Sequence, residues 1–132
     1  MKDIKIVKFI PGIAWFFVVL VLLCMPGKDV PAIGWMDKIY FDKWVHCGIF
    51  GLMALLFMLP FALSQMDNKE KLQSFIRIAI ATAMWGGTSE FIQKYWIPGR
   101  SFDLLDWAAD SFGALVALIF CRIKFLAASK TA

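Results

Sequence analysis

Histidine is nearly absent from this 132-residue chain, which has one, and cysteine is scarce, with three. Cys24, Cys47 and Cys121 stand alone, without a CxxC pair, and an odd count on separate apolar stretches does not make a disulfide framework. Each is expected to act as a small buried hydrophobe. No HxxxH or HExxH occurs, and a typical zinc site wants more nitrogen or sulfur than one imidazole supplies. One imidazole with several carboxylates is permissible for a hard or borderline ion, but no metal and no cofactor is expected. Ser89, Ser101 and Ser111 lack a Gly-x-Ser-x-Gly elbow, so a serine nucleophile has no support either. Charge is also sparse, at 18% of residues, and no connection is long enough to hold a soluble domain.

What fills the chain instead is apolar. Hydrophobic residues make up 61% and the mean hydropathy is +0.70, whereas a soluble domain runs at roughly 45–50% apolar. Phe9 to Gly27 is free of charge, as is Val45 to Met66 apart from His46. Each is long enough to cross roughly 30 Å of hydrocarbon as a helix. Two further stretches, from Phe75 and from Leu104, are as long but interrupted by Arg77, Glu90 and Lys94 in one and Asp106, Asp110, Arg122 and Lys124 in the other. The expected fold is all-α, one domain over 1–132, an integral membrane bundle of four transmembrane helices near 9–27, 44–65, 75–96 and 103–124. The first stretch lacks the small-x-small cleavage site of a secretory signal and is expected to be retained as a helix.

The net charge of +4 fits membrane topology better than nucleic acid. With four spans, Lys2, Lys5, Lys8, Lys69, Lys71, Arg77, Arg122, Lys124 and Lys130 fall on one side, against Lys28, Lys38, Lys43, Lys94 and Arg100 on the other. The positive-inside rule then places both termini in the cytoplasm. In the first connection, Trp35, Tyr40, Phe41 and Trp44 suit the membrane–water interface, and Trp35 to Lys43 is expected to lie there as a short surface helix. The second connection, Met66 to Ser74, reads as a polar hairpin. Ala109, Gly113 and Ala117 recur at steps of four, a seam for close helix approach, and Gly48 and Gly51 provide another.

An acid inside a bilayer costs roughly 2.5–3.5 kcal/mol on insertion scales, so each marks a functional site by default. Asp42 and His46 are four apart, Glu90 and Gln93 three apart, and Asp103, Asp106 and Asp110 follow at steps of three and four. In a hairpin of hairpins all of these share the outward end of the bundle, with Lys43 and Arg100 as cations beside them. The expected binding cluster is Asp42, Lys43, His46, Glu90, Gln93, Arg100, Asp106 and Asp110. A buried network that pins helices together is the plain alternative. The number of acids, with an amide and an imidazole, exceeds what one or two pins need.

These residues resemble the VanZ-like membrane proteins. Asp42-Lys43-Trp44-Val45-His46 is similar to that family's D-K-x-x-H signature. Glu90-x-x-Gln93, Pro98-Gly99-Arg100-Ser101, Asp106 and Asp110-Ser111-Phe112-Gly113 follow in the family's order. Asp110 departs from the pattern, which usually has Asn there. The resemblance implies a multi-pass protein of the bacterial cytoplasmic membrane, in a family named for a protein that lowers susceptibility to teicoplanin. The expected function is non-enzymatic: membrane lipids surround the bundle, and a lipid-linked or anionic cell-wall precursor, or the glycopeptide, is bound at the outward site. An intramembrane enzyme acting on a lipid head group and a small proton-coupled carrier are the alternatives.

Overall fold

The structure, a computed structural model, describes residues 4–26, 34–35 and 40–126. Four long helices follow one another: α1 Ile10–Leu23, α2 Phe41–Ala62, α3 Asn68–Trp96 and α4 Leu104–Cys121. A 3₁₀ turn, Ile6–Phe9, leads into α1, and a wider π turn, Arg122–Leu126, prolongs α4. The fold is all-helical, without a strand among the described residues. Three helical stretches are long and apolar enough to cross a membrane: Ile6–Leu23, Phe41–Ala62 and Leu104–Leu126. Of four expected spans, three are therefore met by length and composition. The fourth expected span falls in α3, which is long enough but carries charge at Lys69, Glu70, Lys71, Arg77, Glu90 and Lys94.

Helix boundaries correct the expected connections. The Met66–Ser74 hairpin is in fact mostly helix, because Asp67 caps α3 seven residues before Ser74. Its carboxylate accepts the Glu70 N–H at 2.9 Å, and Glu70 accepts the Asp67 N–H in return at 3.3 Å. This reciprocal capping box satisfies two otherwise orphaned donors and starts a helix firmly. Lys71 then reaches back to the Ala62 carbonyl at the end of α2, 2.9 Å away. The expected surface helix over Trp35 to Lys43 is also revised. Phe41 to Lys43 form the first turn of α2 itself, behind Tyr40 in the left-handed region at φ 55°. Residues 36–39 lie outside the described residues, and so do Lys2, Lys28, Lys38 and Lys130.

Two apolar clusters hold the helices. Met58 and Ala54 of α2, Phe75 and Ala79 of α3, and Ala114, Ala117 and Cys121 of α4 form one. Val19 and Leu23 of α1 pack on Phe50 and Met53 of α2 in the other, with Trp15 and Trp85 at its edge. The lone cysteines divide: Cys121 is buried as expected, while Cys24 is exposed. Outward faces stay apolar, with Phe17, Val21, Val116 and Ile119 among many exposed hydrophobics. Such a surface suits lipid rather than water.

The α2–α4 crossing is the tightest. A Cβ on Gly113 would run into the Cys47 carbonyl oxygen, and one on Gly51 would lie 3.1 Å from the Gly113 carbonyl oxygen. Backbone thus meets backbone, as small residues permit in membrane bundles. The crossing sits one turn below Asp110 and fixes the facing ends of α2 and α4.

Candidate functional site

The site occupies the end of the bundle where α2 and α4 begin and α3 ends. Lys43 extends from the first turn of α2 between the two helix starts. Its ammonium lies 2.7 Å from Asp42, 2.7 Å from Asp103 and 2.5 Å from Asp106. An ammonium has three protons to donate, so these acids use its full capacity. Asp103 is the N-cap of α4, accepting the Leu105 N–H at 2.9 Å. The Lys43 ammonium beside it, and to a lesser degree this backbone bond, hold its carboxyl below the ordinary 3.8 against a smaller opposing effect of burial.

His46, one turn further along α2, lies between two carboxylates of α4. Its Nδ1 is 2.8 Å from Asp110 Oδ1, and its Nε2 is 3.5 Å from Asp106 Oδ2. Asp106 and Asp110 are four apart on one helical face, which makes the two-sided grip possible. The buried Phe50 ring stacks parallel to the imidazole, at 6.3 Å between centroids.

Glu90 and Asp110 are both fully buried. Glu90 Oε2 accepts the Asp103 N–H at 3.0 Å, tying the end of α3 to the start of α4. Glu90 Oε1 and Asp110 Oδ2 have no hydrogen-bond partner among the described residues. Asp110 fits against α3 because residue 86 is glycine: a Cβ there would come within 2.8 Å of Asp110 Oδ2. Gly87 makes similar room for Trp107, whose indole N–H donates to the Ala83 carbonyl at 2.8 Å. Trp107 therefore joins helices.

Six of the eight expected residues meet in this constellation: Asp42, Lys43, His46, Glu90, Asp106 and Asp110. Two do not. Gln93 is buried but donates to the Leu23 carbonyl at 3.1 Å, so it ties α3 to the end of α1. Arg100 has no carboxylate within ion-pair distance among the described residues, and its Nε is buried without a partner. Arg100, expected as a cation beside the acids, is paired with none of them, and Lys43 occupies the place between them. Asp103 joins the site although the expected cluster omitted it. Its spacing of three from Asp106 and its position before an apolar run are the signals that mark it.

Five carboxylates thus share one ammonium and one imidazole. Such a site can hold a cation, accept hydrogen bonds from amines or hydroxyls, or pass a proton, and Lys43 has no donor left for an anion. Beside it an apolar groove of about 410 Å³ runs between Cys47, Gly51 and Leu55 of α2 and Gly113, Ala117 and Phe120 of α4. Comparison with models of protein families, with curated proteins and with solved structures yields no match.

Proposed function

We propose that the chain is a VanZ-like membrane protein of the bacterial cell envelope, with α3 as a fourth span and both termini cytoplasmic. At the outward, acid-lined end of the bundle it binds a lipid-linked cell-wall component, or the glycopeptide itself, and so lowers susceptibility to glycopeptides. One observation carries this reading: Lys43, His46, Glu90, Asp106 and Asp110, drawn from motifs far apart in sequence, meet in one place. The acids receive hydrogen-bond donors of the ligand. Arg100 is the cation left for a phosphate, which its guanidinium matches in a bidentate way. The groove between α2 and α4 suits the ligand's hydrocarbon chain.

The fourth span is supported by connectivity. Lys43, at the start of α2, bonds Asp103 and Asp106 at the start of α4, so those two ends lie together. The polypeptide leaves the far end of α2 and must return to reach α4. At 1.5 Å per residue the 29 residues of α3 reach about 43 Å, ample for that path. In a variant without the native cysteines, single cysteines at Gly34, Asn68 and Gly99 test it. Residue 68 should label only from the cytoplasm and residue 99 only from outside; residue 99 labelling from the cytoplasm refutes the topology.

Expression in a susceptible host should raise teicoplanin tolerance, and Glu90→Gln, Arg100→Ala and Asp106→Asn should each lower that gain. No gain in the unaltered protein, or a gain indifferent to all three substitutions, refutes the function. The grip of Asp106 and Asp110 on His46 favours a second reading, an intramembrane enzyme acting on a lipid head group. Imidazole and carboxyl side by side are the usual means of general acid–base work. Product formed from a candidate lipid by the purified protein, and lost in Glu90→Gln and Asp106→Asn, would establish it.

A further inference from the structure

The acids of the site fall into two groups that differ in what they hold. Asp42, Asp103 and Asp106 close around Lys43, so a positive charge already fills that group. His46, Glu90 and Asp110 form a second group, deeper in the bundle, in which one ligand atom from each lies within 4.8 Å of the others. No lysine or arginine enters it among the described residues. Glu90 and Asp110 are fully buried, yet among the described residues each keeps one oxygen without a partner, Oε1 and Oδ2 respectively. Buried carboxylate oxygens in native proteins are almost always bonded, and buried negative charge needs a positive partner. The inner group has everything around it except that partner.

We infer that His46, Glu90 and Asp110 bind a divalent metal cation of the Mn²⁺ or Zn²⁺ class. One imidazole nitrogen with two carboxylates is a donor set for borderline ions, whereas Ca²⁺ and Mg²⁺ prefer oxygen alone and more of it. Donors at about 2.0–2.2 Å from a metal stand roughly 3.4 Å apart, so the widest pair must close by an ångström or so. His46 Nδ1 is the ligating atom, since it faces Asp110. Its other nitrogen, Nε2, faces Asp106 Oδ2 at 3.5 Å, and Asp106 is held by Lys43 at 2.5 Å. Metal-binding histidines usually have such a carboxylate behind them, which fixes tautomer and ring orientation. The outer acid–lysine group thus acts as the support of the inner one. The glycine at 86 completes the fit by letting Asp110 lie against α3. This site goes beyond the envelope function proposed above and stands whether or not a glycopeptide or lipid is bound.

The purified full-length chain in detergent, stripped with EDTA and titrated with Mn²⁺ under electron paramagnetic resonance, tests the site. One Mn²⁺ per chain should bind and be displaced by Zn²⁺, which ranks higher in affinity. The dissociation constant should rise at least tenfold in each of His46→Ala, Glu90→Gln and Asp110→Asn, and stay within threefold in Glu70→Gln, at the opposite end of α3. Pulsed measurements on the unaltered protein should show nitrogen coupling from one imidazole, a readout independent of whether any variant folds. Absence of stoichiometric binding overturns the assignment. So does an affinity indifferent to the three substitutions, an equal loss in Glu70→Gln, or bound Mn²⁺ without nitrogen coupling.

Discussion

Replacing Lys43 by Met removes the one ammonium that three carboxylates share. The size of the effect follows from how enclosed each pair is. Asp42 is 60% exposed and Asp103 40%, so water screens both, and such pairs are worth about 0–1 kcal/mol. Asp106 is only 15% exposed and faces a lysine that is 18% exposed. Breaking a fully buried pair costs roughly 3–5 kcal/mol because a charge is stranded. The Lys43–Asp106 pair lies between these limits, and Lys43→Met should cost about 2–3 kcal/mol, or roughly 30- to 150-fold in the folded-to-unfolded ratio. Reversible unfolding in mixed micelles by sodium dodecyl sulfate measures it. A double-mutant cycle with Asp106→Asn isolates the pair, with a coupling of about 1–2 kcal/mol expected. A loss under about 1 kcal/mol together with a coupling near zero would refute the claim that Lys43 neutralises Asp106.

Gly113→Ala should be more harmful than any other alanine in α4, costing about 3 kcal/mol by the same unfolding assay, because the obstacle is the Cys47 backbone and not a side chain that can turn away. Gln93→Leu should cost about 1–2 kcal/mol by leaving the Leu23 carbonyl without its donor, and hydrogen exchange should speed up at the end of α1 but not in α4. Asp103 gives an acid limb to stability. Its folded value is lowered, so its contribution is complete above about pH 4 and disappears as pH falls through that lowered value. Lys43→Met should flatten this limb in unfolding curves taken from pH 5 to pH 2.

Helix spacing made much of the site legible. Asp42 with His46 and Asp106 with Asp110 each lie one turn apart, and the steps of four through Gly113 pointed to the seam where α2 and α4 meet. The capping box of Asp67 and Glu70 was equally present in the residues, yet a run of polar side chains looked like a hairpin. Hydropathy ranks side chains and is silent about which backbone donors they satisfy. Gln93 shows a harder limit. Its partner is the Leu23 carbonyl, a backbone group common to every residue, so nothing in the sequence singles it out. Lys43 and Arg100 show another: both are cations beside acids, and only the geometry of three donors tells that one is fully engaged and the other is not. The inner trio of His46, Glu90 and Asp110 comes from three helices, so no spacing along the chain announces ligands for one ion.

The polar face of α3 bears on how the protein is made. Thr82, Gly86, Gly87, Ser89, Glu90 and Gln93 are all buried, and Asp110 and Trp107 of α4 supply much of their cover. When the ribosome has finished residue 96, none of α4 yet exists. With α3 as the fourth span proposed above, it would at that moment show lipid a side with a carboxylate and no partner, and would gain little by leaving the insertion channel alone. Under the proposed topology its release would wait for the next helix, and the two would enter the bilayer as a pair. In that topology chain order becomes an assembly order, in which the segment that brings Asp106 and Asp110 to the site would also license the segment that brings Glu90.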